Sequence, residues 1–362
     1  IPALSRNGDV GALPVHCTSP VAWLLCANNQ PSKEGRSAEA TASAVNRDPL
    51  FFLQSSEEEN MKKALITRRV AILAAASLSF LAACGGSSND SSKASDTTVA
   101  ASPGNGKKIL SLSPTATEML YAIGAGDQVV AVDSLSNYPA EAADKVTKIS
   151  AFEPNAEAIL GYSPDIVLIS NDMNKITEQL KTAKPDITVW TGAMANTIDD
   201  VYAQITDLGK VTGHDTEAAA LIAKMKTDLA AATEGVTAPE GASYYYELDN
   251  TYYSLTSNTF VGSLLKSTGI ANIADGVEAG NDWPQLNAES IIKANPSVVF
   301  LADTKCCQQN AAAVAKRAGW ADLDAVKNAR VVELDDDIAS RWGPRIVDLV
   351  KQMVEAIAAL QK

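Results

Sequence analysis

Histidine is nearly missing from this chain of 362 residues: His16 and His214 are the two copies it has. That scarcity rules out a His-rich zinc or manganese centre and argues against histidine-based catalysis. Cysteine is thin as well. The five, Cys17, Cys26, Cys84, Cys306 and Cys307, have neither zinc-ligand spacing nor the density of a disulfide scaffold. Positive charge is in deficit. A formal net charge of −13 and a pI near 4.7 leave no basic face for a phosphate backbone, which excludes nucleic acid as a partner. No Gly-x-Ser-x-Gly elbow occurs, so an exported hydrolase, the enzymatic alternative, has no nucleophile motif and no partner for its histidine. The apolar run at residues 70–82 is too short to span a bilayer. What remains is 46% hydrophobic and 20% charged, the composition of a soluble globular protein, and long enough for two domains.

The most informative feature present is a repeat. Residues 155–169 (Asn155-Ala156-Glu157, then Ile159, Pro164, Ile166 and Val167) return as residues 287–301 (Asn287-Ala288-Glu289, then Ile291, Pro296, Val298 and Val299) at an unchanged offset. Each copy reads as a short capped helix, a proline turn and a fully apolar strand. Such a strand is buried on both faces, as in a parallel α/β sheet. Two copies this far apart do not make a solenoid. They predict two similar lobes, with small-ligand binding in the cleft between them.

The first hundred residues read differently. Met61 opens a signal peptide at residues 61–83, with Lys62, Lys63, Arg68 and Arg69 as its basic region. The segment Leu81-Ala82-Ala83-Cys84-Gly85 resembles a bacterial lipobox, which makes Cys84 the lipidated first residue of the mature protein. Residues 1–60 precede a complete signal and read as a non-native upstream extension. Residues 84–107, rich in Ser, Gly, Asp and Ala, read as a disordered tether.

The folded part divides into an N-terminal lobe at 108–212, a linking helix at 213–235 and a C-terminal lobe at 236–362. A first strand at 108–112 leads to Ser113-Pro114, an N-cap followed by proline at the first helical position, and Gly124 closes that helix. Further strands are predicted at 129–132, 166–169, 298–301 and 331–334. The second lobe opens with residues 244–248 and 252–255. Ala218, Leu221, Ile222, Met225 and Leu229 recur at helical spacing without Gly or Pro, predicting one stiff helix between the lobes. A terminal helix runs from about 346 to 360. The predicted class is therefore α/β: two Rossmann-like lobes with parallel-rich central sheets joined by a single long helix.

From Ile109 onward the chain resembles the extracytoplasmic binding proteins of ABC importers, and among them the vitamin B12-binding family, with ferric-siderophore and haem binders as relatives. The resemblance is carried by Leu112-Ser113-Pro114 with Thr117-Glu118, Ser136-Asn137-Tyr138-Pro139, Ile149-Ser150-Ala151-Phe152 and Asn155-Ala156-Glu157. Further on, Trp283-Pro284-Gln285 and Ser340-Arg341-Trp342-Gly343-Pro344-Arg345 extend it. It implies capture of a corrinoid, or alternatively a ferric siderophore or haem, and delivery to membrane permease subunits with their ATPase. The metal chelate is then cargo; no cofactor is expected. It also implies an extracytoplasmic location, lipid-anchored through Cys84.

By the same resemblance Tyr138, Phe152 and Trp283 lie around the cleft, and Arg341 could hold a phosphate, carboxylate or amide edge. Tyr252, Tyr253 and Trp342 are added as further aromatic surface, and Asn171 because ligands gather beyond the C-terminal ends of parallel strands. Arg345 is assigned to anchoring the last helix. Glu157 and Glu289 have two readings: complements to helix dipoles, or, as the resemblance implies, one docking carboxylate per lobe for the permease. Cys306-Cys307 departs from the vitamin B12 pattern. A vicinal disulfide, inert thiols and soft ligands to a metal all stay open.

Overall fold

The computed structural model describes residues 105–361. The expectations for the upstream extension, the signal peptide and Cys84 lie outside the described residues, as does nearly all of the tether. The body begins slightly earlier than expected. Asn105, assigned above to the tether, donates its backbone NH to Thr212 O at 3.3 Å and its side-chain amide to Val211 O at 2.9 Å.

The first lobe runs β1 (Ile109–Leu112), α1 (Pro114–Ala122), β2 (Val129–Val132), α2 (Ala140–Ala143), α3 (Ala156–Leu160), β3 (Ile166–Ile169), α4 (Ile176–Ala183), β4 (Thr188–Thr191) and α5 (Ile198–Thr212). Next comes α6 (Asp215–Thr233). The second lobe runs β5 (Ser243–Glu247), α7 (Phe260–Leu265), β6 (Ala271–Asn272), α8 (Ala288–Ala294), β7 (Val298–Leu301), α9 (Ala311–Ala315), α10 (Asp324–Lys327), β8 (Val331–Glu333), α11 (Asp336–Ala339) and α12 (Ile346–Ala358).

Both sheets are parallel throughout, in the orders β2-β1-β3-β4 and β6-β5-β7-β8. The repeat in the sequence is therefore a repeat of topology: α3–β3 and α8–β7 occupy the same place in the two lobes. The two apolar strands, β3 and β7, are buried at every position. Their alternate residues feed different cores. Ile166 and Leu168 of β3, with Val298 and Phe300 of β7, enter one cluster continuous through both lobes, while Val167 and Ile169 pack under α4 and Val299 and Leu301 pack around Trp320. Burying one such aliphatic side chain contributes about 1.5–3 kcal/mol. A core shared in this way resists rotation of one lobe against the other.

Local signals set the helix ends. Ser113 caps α1, its hydroxyl accepting the Ala116 NH at 3.2 Å, with Pro114 at the first helical position. Gly124, at φ 81°, supplies the left-handed turn that follows. The predicted linking helix is α6, packed against α5 and α12. Its close approach to α5 depends on Gly209, where an added Cβ would meet the Ala218 Cβ at 2.7 Å. Of the two segments opening the second lobe, only the first is a strand. Residues 252–255 follow a turn with Tyr252 at φ 72° and contribute a single bridge, from Tyr253 to Gln285.

Candidate functional site

In each sheet the connections leave a central strand in opposite directions, between β1 and β3 and between β5 and β7. Ligands bind outside the C-terminal ends of strands at such switch points. In the first lobe that end is lined with hydroxyls. Ser170, just past β3, donates to Ser113 Oγ at 2.8 Å, and Thr117 Oγ1 donates to Ser111 Oγ at 2.9 Å and meets Ser136 Oγ at 3.0 Å. Asp133 is buried beside them. Burial pushes its carboxyl up to about 6, against the neighbouring Ser136 and the charge of Arg341. Asn171 is exposed at the strand end, and half-buried Phe152 sits in a loop whose Phe152 and Glu153 NH groups donate to Ser150 Oγ.

The second lobe presents different chemistry. Glu247, the last residue of β5, is fully buried and accepts two hydrogen bonds from Arg317. Asp303, just past β7, is fully buried too. Burial, then the charge of Glu247, pushes its carboxyl up to about 8 despite Arg317. One guanidinium cannot neutralise two buried carboxylates, so the protonated form of Asp303 is favoured beside Glu247. The Arg317 guanidinium lies over Trp320 at 4.6 Å and over Tyr252 at 5.7 Å, and those two rings stack at 5.8 Å. Tyr253 and Trp283 are half-buried neighbours, since Ser254 NH donates to Pro284 O at 3.0 Å. Cys306 and Cys307 follow, their sulfurs 3.1 Å apart. Among the described residues no group of three or more His, Cys, Asp or Glu could hold a metal ion.

Between the two ends runs a bridge of buried charge. Glu118 of α1 accepts from Arg341 at 2.8 Å and, through its other oxygen, from Arg345 Nε at 2.8 Å. Arg341 also donates to Leu135 O, Asn137 Oδ1 and Asp337 Oδ1. Asn137 donates to Asp337 at 3.2 Å, and the Trp342 indole NH to Gln204 Oε1 of α5 at 3.0 Å. Burial works to raise Asp337, but the Lys305 hydrogen bond, the charge of Arg341 and the Asn137 hydrogen bond together hold it below the usual carboxylate range. Arg341 and Trp342, predicted as ligand contacts, are thus both buried and both occupied by the other lobe. Arg345 precedes α12 as expected, and stacks at 3.9 Å on Tyr138. Tyr138 lines a groove of about 640 Å³ bounded by α1, α6 and α12, in which Lys224 pairs with Asp228 and Arg345 with Glu118.

Sequence reasoning missed Glu118 as the centre of this bridge and the Glu247–Asp303–Arg317 group altogether. A carboxylate ending the aromatic strand 244–246 was the available signal for the second, because a charge there has to be buried and paired. Glu157 and Glu289 are exposed in the first turns of α3 and α8, beside Asn155 and Asn287, which cap those helices as predicted. Glu157 also borders a groove of about 620 Å³ between α3 and α4. His214 is buried at the start of α6 with its Nδ1 3.2 Å from Thr212 Oγ1.

The profile of the periplasmic binding protein family matches residues 109–338. The chain belongs to that family. It is an extracytoplasmic substrate-binding protein of the kind that serves ABC importers. Over 258 residues it is 34% identical to the uncharacterized ABC transporter substrate-binding lipoprotein YvrC of Bacillus subtilis, covering 69% of this chain and 80% of that one. It is 30% identical over 258 residues to the cobalamin-binding protein of Halobacterium salinarum, covering 69% of each. The crystal structure of the periplasmic vitamin B12 binding protein BtuF of Vibrio cholerae superposes with a TM-score of 0.58 at 26% identity, covering 72% of this chain and 99% of that one. Two lobes with parallel sheets are the fold this chain shares with that structure.

Proposed function

We propose that this family member captures a corrinoid of the vitamin B12 type between the hydroxyl-lined end of the first sheet and the aromatic end of the second, and hands it to a membrane permease. The observation that carries the reading is the 30% identity to a cobalamin-binding protein over 258 residues. The chemistry of the two sheet ends supports it. Phe152, Tyr252, Tyr253 and Trp283 offer broad apolar surface for a macrocycle, and Ser170 and Asn171 offer hydrogen bonds to its amide rim. Arg341 and Trp342 hold the lobes at the working distance.

Delivery completes the proposal. Glu157 and Glu289 dock one lobe each to the permease, which runs with its ATPase, and a lipid on Cys84 keeps the protein at the membrane. The groove beside Glu157, flanked by Glu178, suits a basic side chain from the partner. The test is an absorption spectrum of the protein purified with its native cargo, followed by titration with cobalamin. Corrinoid bands and saturable one-to-one binding without turnover are the expected result. Haem or ferric-chelate bands would move the cargo to that second class, and absence of any bound chromophore with no cobalamin binding would end the reading.

A further inference from the structure

Neither cargo capture nor docking uses the Cys306-Cys307 loop, which leaves the C-terminal end of β7 beside the contacts that join the lobes. Asp336 accepts the backbone NH groups of Lys305 at 2.9 Å and Cys306 at 2.8 Å, and the Thr304 hydroxyl at 2.8 Å. The Asp303 carbonyl accepts the Cys307 NH at 3.2 Å, and Gln309 donates to Cys307 O at 2.9 Å. The two sulfurs are half-buried and lie 3.1 Å apart. A reagent in solvent reaches them, and each reaches the other.

Outside the cytoplasm such a pair meets disulfide oxidants. Adjacent Cα atoms stand about 3.8 Å apart across a trans peptide, short of the roughly 4.4–6.8 Å that disulfides ordinarily span. A bridge between neighbours is therefore strained, and strained bridges open again under mild reduction instead of standing as permanent staples. Closing it also turns the 306–307 peptide, whose NH is the one held by Asp303 O. One residue back, the Cys306 NH is held by Asp336.

The loop's next neighbour carries the movement to the first lobe. Lys305 Nζ donates to Asp335 Oδ1 and to Asp337 Oδ2, both at 2.8 Å. The same Asp337 accepts from Asn137 of the first lobe at 3.2 Å and from Arg341 at 3.0 Å, and Arg341 donates on to Leu135 O and Asn137 Oδ1. We infer that Cys306 and Cys307 are a reversible redox site, a thiol pair that closes to a vicinal disulfide and in closing slackens the grip of Lys305 on Asp337 and so the contact between the lobes. The oxidant is a disulfide of the compartment, carried by a protein or a small thiol. One cysteine sulfur attacks it, forming a mixed disulfide and releasing one thiol; the second sulfur then displaces the other. One S–S bond forms for one broken, and two electrons and two protons pass from the pair to the oxidant, which leaves as two thiols. The identity of the cargo does not enter.

The experiment uses the full chain with Cys17, Cys26 and Cys84 replaced by Ser, so that Cys306 and Cys307 are the sole thiols. Oxidised glutathione should remove both from alkylation by forming the internal bridge, and reduced glutathione should restore them, as seen by mass spectrometry. A pair that stays reduced, stops at a glutathione adduct, or makes a bridge that reduced glutathione cannot open overturns the inference. Amide hydrogen exchange over residues 335–341 reads the coupling. Losing a hydrogen bond to a charged group should speed it roughly tenfold in the oxidised form, and reduction should reverse the change. Lys305→Met should still form the bridge, with exchange there no longer responding. Cys306→Ser/Cys307→Ser should not respond to the oxidant at all, and Cys307→Ser, which cannot close the ring, serves the same comparison should the double variant fail to fold. A bridge that forms without changing exchange, or a response that survives in Lys305→Met or in a variant unable to close the ring, overturns the inference.

Discussion

Two buried carboxylates in this protein behave in opposite ways, and the difference lies in their partners. Glu118 is surrounded by Arg341 and Arg345, and its charge is satisfied from both sides. Replacing it with Gln leaves two guanidinium groups buried against a neutral amide. Breaking one side of a buried ion pair costs about 3–5 kcal/mol, so Glu118→Gln should lower stability by roughly that amount in a denaturant titration. A loss within experimental error would mean the bridge is solvated in solution. Asp303 has Glu247 for a neighbour and half a claim on Arg317, and its carboxyl sits at about 8. Its folded-state value lies above the unfolded one, near 3.9, so the folded form holds the proton more tightly. Stability from this group is full below about pH 4 and is lost as pH rises toward about 8. The slope is at most about 1.4 kcal/mol per pH unit. Asp303→Asn cannot ionise, so its melting temperature should change less between pH 5 and 8 than the parent's. Equal slopes in the two proteins would show that Asp303 is already ionised at low pH.

At the scale of elements the sequence was a good guide wherever a local signal decides the structure. The two apolar runs became β3 and β7, Asn155 and Asn287 became helix caps, and Ser113-Pro114 opened α1. Each of these needs only its own few residues. The link between lobes was legible for the same reason: its apolar spacing lies within one uninterrupted helix. What the sequence does not show shares a cause too. Residues 252–255 look like a strand but follow a turn that carries Tyr252 into positive φ, and the hydrogen bonds of the ladder go elsewhere. Arg341 and Trp342 carry a motif that spacing can read, but their contacts to Glu118 and Gln204, more than a hundred positions away in sequence, cannot be read from it. The Glu247–Arg317 pair is likewise assembled only by folding. Side-chain type and spacing expose local order; a charge buried by another lobe leaves no local trace.

At the scale of the whole molecule, the repeat places Glu157 and Glu289 in corresponding exposed positions of two lobes that share one continuous core. That core and the Glu118 bridge make the spacing between the two carboxylates a fixed property of the body. A partner with two related basic sites can then engage both at once, and the second contact adds to the first without fresh positional cost. If this is their role, the pair Glu157→Ala/Glu289→Ala should bind cargo as the parent does and deliver it poorly in an uptake assay with the permease. The pair Glu157→Lys/Glu289→Lys should deliver it worse still, because repulsion replaces attraction across the same contacts. A role confined to the helix dipoles leads elsewhere. Each carboxylate is then worth about 0.3–1 kcal/mol, and the double Ala variant should lose a little stability with uptake unchanged. Cargo affinity, melting temperature and uptake measured on the same four-protein set (parent, double Ala, double Lys and a single-lobe Glu289→Lys control) separate the two. Full uptake by a folded double Lys variant would remove both residues from the docking surface.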